Sequence, residues 1–208
     1  MNELQNNLYI YELVLLFLGA FLFLILSGGL IYYIIKKEEI KKLLFFFPIP
    51  ILMIAYPSIK EINISSDKIE LSKYQKEYED NPQDTVALQK IEELTKELEP
   101  RVSSKEDLVQ ISKSNILLGN PEKAIEAANK VIKTNEKESN SSQPDEVKSG
   151  LVKEAYQIRK IATIQQQSLK EKDTTGMFAK LNKLKLSPEL IKVSSIVKTR
   201  AKSSYVKE

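Results

Sequence analysis

From Leu13 to Ile35 the chain reads LVLLFLGAFLFLILSGGLIYYII, 23 residues without a charge. At about 1.5 Å per residue, a helix of this length matches the hydrocarbon core of a bilayer, roughly 30 Å thick. The run predicts a membrane helix. No positive segment precedes it, and it is longer than the roughly 7–15 apolar residues of a signal peptide, so cleavage is the poorer reading. Tyr9 and Tyr11 flank one end and Tyr32 and Tyr33 the other, where amphipathic rings suit the two headgroup layers. Glu12, beside the first tyrosines, reads as an interfacial carboxylate. Gly19, Ala20, Ser27, Gly28 and Gly29 are the candidates for close packing by another membrane helix.

A second apolar run, Leu43 to Ile59, has 17 residues and contains Pro48, Pro50 and Pro57. Its length is at the lower limit for a span, and its prolines persist in a membrane only where a neighbouring helix supports them. The alternatives are a full span, making residues 1–59 a transmembrane helical hairpin with spans about 10–35 and 43–59, or a re-entrant or interfacial segment. Lys36, Lys37, Lys41 and Lys42 lie between the two runs, while Met1 to Asn7 carries no lysine or arginine. The excess of basic residues places this loop on the cytoplasmic side. With two spans the remainder of the chain is extracytoplasmic; with one it is cytoplasmic. The expectation is a multi-pass protein of a bacterial-type inner membrane, its soluble domain facing the periplasm or cell exterior.

Residues 1–59 hold four basic and four acidic residues, leaving 27 and 24 for the rest. That rest is long enough for one domain with a core. The chain has no Cys and no His, which removes disulfides, thiolate metal sites, thiol nucleophiles and the Ser-His-Asp triad. Glu92-Glu93 and Glu106-Asp107 are adjacent in sequence and diverge around a helix, and no phosphate-binding glycine loop occurs. No catalytic, cofactor or metal site is expected, and the chain reads as a non-enzyme.

Beyond residue 60 the punctuation is helical. Asn81-Pro82, Asn120-Pro121 and Ser187-Pro188 each set a capping residue before a proline, and Ser103 with Glu106 forms a capping box. Helices are expected at 66–80, 82–98, 104–118, 121–136, 146–171, 175–185 and 188–202. Leu71, Tyr74, Tyr78, Ala87, Ile91 and Leu94 recur 37 residues later as Leu108, Ile111, Asn115, Ala124, Ala128 and Val131. Two helices and a tight turn at such a period predict an α-solenoid, whose hairpins stack because none buries its apolar face alone. An irregular α-bundle would use the same apolar positions.

The stretch LVQISKSNILLGNPEKAIEAANKVIK, residues 108–133, resembles the tetratricopeptide repeat (TPR). Gly119 falls at the turn, Ala124 and Ile125 open the second helix, and Leu108, Ile111, Ala128 and Val131 match packing positions. Asn115 stands where the family has an aromatic residue, and the period is longer. In the upstream copy Pro82 replaces the turn glycine and Pro100 ends the second helix. The resemblance implies an all-α fold with residues 60–136 as two TPR-like hairpins. Its concave face, lined by the first helices, gives Gln75, Lys76, Tyr78, Ser112 and Asn115 as the candidate protein-binding groove.

Lys137 to Asp145 reads as a polar loop, and residues 146–208 as helices completing or capping the solenoid. Residues 166–208 hold ten basic and four acidic residues, read as a solvated helix face before an attraction for anionic lipid. With Phe178 and Tyr205 as the aromatics there, nucleic acid is not an expected partner. The expected partners are another protein, within a membrane complex, and membrane lipid. The expected role is a membrane-anchored adaptor or scaffold, the alternative a structural accessory subunit of a multi-protein membrane complex.

Overall fold

The computed structural model describes residues 10–37, 40–138 and 146–205. Tyr9, the Glu38-Glu39 part of the lysine loop and the 139–145 part of the expected polar loop lie outside the described residues. Among the described residues every regular element is a helix, as the all-α expectation requires. The chain divides into two compact units, residues 1–66 and residues 67–208.

The first unit contains α1 (Ile10–Lys36), the short α2 (Lys41–Leu44) and the beginning of α3 (Pro48–Asp80). Among the described residues α1 is the one helix long and apolar enough to cross a membrane. The expected second span over 43–59 is not a single helix: α2, a turn at 45–47 and the start of α3 share it. Pro48 and Pro50 occupy the first turn of α3, where a missing N–H has no partner to lose. Pro57 lies inside the helix. The helix then continues through residues 60–66, where the sequence reading put a break. SIKEINISS, residues 58–66, contains neither Gly nor Pro and has nothing to end a helix.

α1 and α3 meet at small residues. A methyl group at Gly19 would lie 2.9 Å from Met53 Cβ and 3.2 Å from the Pro50 carbonyl oxygen. The ring of Phe23 stands edge-on to Phe47 at 5.8 Å, and Gly29 faces Leu43. The contacts pair falling numbers on α1 with rising numbers on the following segment, so the two run side by side in opposite directions. Glu12 is fully buried and accepts a hydrogen bond from the Tyr11 hydroxyl at 3.3 Å.

The second unit takes the end of α3 and then α4 (Thr85–Leu98), α5 (Lys105–Leu118), α6 (Pro121–Glu138), α7 (Glu146–Glu171), α8 (Thr174–Asn182) and α9 (Pro188–Tyr205). The Asn81-Pro82 pair makes a turn instead of starting a helix. Asp84 N–H bonds to the Asn81 carbonyl at 3.0 Å, with Pro82 at the second turn position that its fixed φ favours. Asp84 is the cap, its Oδ1 accepting from the amides of Val86 and Ala87 at 3.0 and 2.9 Å. Ser104, one residue beyond the expected Ser103, caps α5 by accepting from Asp107 N–H. Gly119 ends α5 with φ of 82°, a left-handed conformation, and Asn120 N–H returns to the Asn115 carbonyl at 2.8 Å, the glycine-closed helix end. α6 then begins at Pro121 as expected.

α4 buries Ala87, Ile91, Leu94, Thr95 and Leu98, one stripe at helical spacing. α5 is different: Leu108, Val109, Ile111, Ser112, Ser114, Asn115, Ile116 and Leu117 are all buried, so no broad face of its second half meets water. It packs against α4, α6, α7 and α9, while α6 packs on α7 and α7 on α8. Of the twelve residues in the 37-residue recurrence, all but Tyr74 are buried.

Candidate interaction surface

Of the five residues expected to line an open groove, Lys76 alone is exposed. Gln75 is buried, and its Nε2 donates to the Gln110 carbonyl at 2.9 Å and to Ser114 Oγ at 2.6 Å. Ser112 is fully buried, and its hydroxyl donates to the Ala124 carbonyl of α6 at 2.6 Å. Asn115 Nδ2 donates to the Ile111 carbonyl of its own helix at 3.1 Å, and Tyr78 is buried. Gln75 and Ser112 thus tie helices to one another and Asn115 bonds within α5, because a buried polar group is tolerated only when bonded. Their place as an open lining is therefore corrected. Gln110 completes the tie to α3 by donating to the Lys68 carbonyl at 3.1 Å, beside the 2.7 Å pair of Lys68 and Asp107.

α9 lies against α5, α7 and α8 and reaches the end of α3. Its Leu190, Val193, Ile196 and Val197 are buried. Lys192 Nζ meets Asp80 Oδ1 at 2.7 Å, and this exposed pair holds the Asp80 carboxyl below its usual range. Arg200 donates to the Leu117 carbonyl at the end of α5, and Lys202 sits over the Phe178 ring of α8. At the other end Gln157 of α7 holds the strand of chain leading into α9, donating to the Lys185 carbonyl at 2.9 Å and accepting from Ser187 N–H at 3.3 Å. No local pattern could reveal this arrangement, since Lys192 and Asp80 are 112 residues apart.

Charge is concentrated beneath the first turns of α9. Lys113 and Glu79 form a 2.7 Å ion pair with little solvent access. Glu154 is pushed above the usual carboxylate range, first by burial, then by Glu189, with Glu79 adding to the rise and Lys113 opposing it. Further along α9 a cavity of about 210 Å³ lies between Leu118, Gln165, Met177, Val197 and Arg200. Among the described residues no cluster of three or more acidic side chains is placed to hold a metal ion.

In the first unit the packing positions divide. Gly19 is used by the contact with Met53, and Ala20 and Ser27 are half-buried. Gly29 lies 3.6 Å from Leu43, measured from an added methyl, and Gly28 faces open space. Phe21, Leu24, Leu52, Ile59 and Ile62 are all more than half exposed, on both helices. No protein-family model, curated protein or solved structure matches the chain.

Proposed function

We propose that the protein is a membrane-anchored adaptor: a transmembrane helical hairpin carrying a TPR-like α-solenoid that binds another protein and tethers it to, or assembles it with, a membrane complex. The observation that carries this reading is the division of surface. The first unit leaves large apolar side chains exposed on both antiparallel helices, as lipid requires, whereas the second buries most of its apolar positions in a core and leaves Ile69, Val86, Tyr156, Leu169 and Ile191 as scattered exposed ones. Of the prolines in the second segment, Pro50 lies against Gly19 of α1. The solenoid is supported by the order of contacts: each helix from α4 to α8 packs on the next, and α5 packs also on α7, as in stacked hairpins. The soluble domain is extracytoplasmic in this proposal, with the lysine loop on the cytoplasmic side.

The accessory-subunit reading draws on one feature. Phe45 is 81% exposed in the turn between α2 and α3, and Gly28 is open, which fits contact with other membrane helices.

Photo-crosslinking residues placed at exposed Lys76 and Lys153 test the adaptor in native membranes. A discrete cross-linked protein that a mild detergent separates from the uncross-linked chain is expected. A companion retained in fixed stoichiometry and cross-linked only from positions 28 and 45 replaces the adaptor with the subunit, and the absence of any discrete product from the soluble positions removes the adaptor.

A further inference from the structure

The fit of α9 on its seat is uneven. Its apolar residues Leu190, Val193, Ile196 and Val197 are buried, yet among the described residues three buried polar atoms on or beside it have no hydrogen-bond partner. Ser194 Oγ is one, on the buried stripe between Leu190 and Val197. Ser187 Oγ is another, at the residue before the helix, where a hydroxyl ordinarily caps. Gln165 Oε1 is the third, on the α7 wall of the cavity beside Val197 and Arg200. A buried acceptor or hydroxyl left unbonded loses its hydration without return, and an unfilled cavity forfeits contacts along its lining. Elsewhere in the domain Thr95 Oγ1 of α4 is also buried without a hydrogen bond, whereas on the α5–α6 contact Ser112 reaches the Ala124 carbonyl and on the tie from α3 to α5 Gln75 reaches Ser114.

We infer that α9 is a displaceable occupant of the surface formed by α5, α7 and the end of α3, and that the partner competing for this seat is an amphipathic helix of another protein. The inference rests on the adaptor reading and names its binding surface. The seat specifies the competitor. Apolar residues are needed at the spacing of Leu190, Val193 and Val197. A basic residue is needed in the place of Lys192, because Asp80 loses its partner when α9 leaves, whereas Glu79 keeps Lys113. A side chain with a hydrogen-bond donor is needed to enter the 210 Å³ cavity and satisfy Gln165 Oε1. The partner thus gains bonds that α9 itself does not make.

The test uses the full chain in detergent, with a fluorescent synthetic peptide of residues 187–205 as probe. Because the chain has no Cys, Asp80→Cys with Lys192→Cys can be joined by a short bis-maleimide to lock α9 in place. Binding is expected to strengthen at least about 10-fold from the wild type to a Leu190→Asp/Val193→Asp chain whose α9 is unseated, and to vanish in the locked chain. Equal binding to all three overturns the inference. Hydrogen exchange on the wild type supplies a measurement independent of the unseated variant's folding. Amides of α9 are expected to exchange at least about 10-fold faster than those of α5, and Ser194→Ala to slow them. Protection of α9 equal to that of α5, or faster exchange in Ser194→Ala, counts against it. A partner cross-linked in native membranes with no peptide exchange leaves the adaptor standing and sinks the displaceable helix. Peptide exchange with no cross-linked partner upholds the seat and sinks the adaptor.

Discussion

Glu154 faces three charged groups from three other helices: Glu79 of α3, Lys113 of α5 and Glu189 of α9. Its folded-state pKa lies above the ordinary value of 4.5, through burial first and the two carboxylates after it. The folded chain therefore holds this proton more firmly than the unfolded chain, so ionising Glu154 as the pH rises lowers stability. Glu154→Gln is expected to raise the melting temperature at pH 7. The gain shrinks as the pH falls towards the ordinary carboxylate range, where Glu154 itself becomes neutral; a gain constant with pH contradicts the account. At this scale the sequence was a poor guide. The resemblance sets Gln75, Ser112 and Asn115 on the first helices that would line a concave face, and each instead bonds within the domain. Polarity signals exposure only when no partner is within reach, and the partners here are 39, 12 and 4 residues away.

Elements were easier to read than residues. The end of α5 follows from Gly119 and the start of α6 from Pro121, and all positions of the 37-residue recurrence but Tyr74 are buried. Local punctuation failed where two signals competed. Asn81-Pro82 could cap a helix or make a turn, and Asp84, three residues on, took the cap. The break expected near residue 60 came from a change in composition, but a change from apolar to charged residues does not interrupt backbone hydrogen bonding, and α3 runs on. Membrane glycines were equally ambiguous, since five small residues shared one signal and the contact with Met53 selected Gly19. Gly19→Val is expected to cost about 1–3 kcal/mol through overpacking against Met53 and Pro50, seen as an earlier helix-melting transition by circular dichroism in mild detergent. Gly28→Val, facing open space, should leave that transition in place. An equal effect of the two removes the assigned contact.

In the proposed function the first unit lies in a membrane, so the side on which the second lies decides which proteins it can meet. Lysines at 36, 37, 41 and 42 set the expectation. The native absence of thiols makes Lys133→Cys, on an exposed site of α6, a clean reporter. Labelling by a membrane-impermeant maleimide in intact cells is expected, and labelling only after permeabilisation places the domain in the cytoplasm and reduces the anchor to a single crossing.

The clasp that Gln157 forms around residues 185–187 bears on kinetics. An α9 displaced as inferred above stays tethered through residues 183–187, whose place on α7 Gln157 holds, and its return is an intramolecular event at a local concentration on the order of millimolar. A competitor free in solution faces that concentration, whereas one confined to the same membrane is itself enriched. Severing the chain between Asn182 and Ser187 would abolish the advantage of the resident helix and turn a self-resetting device into a one-way release.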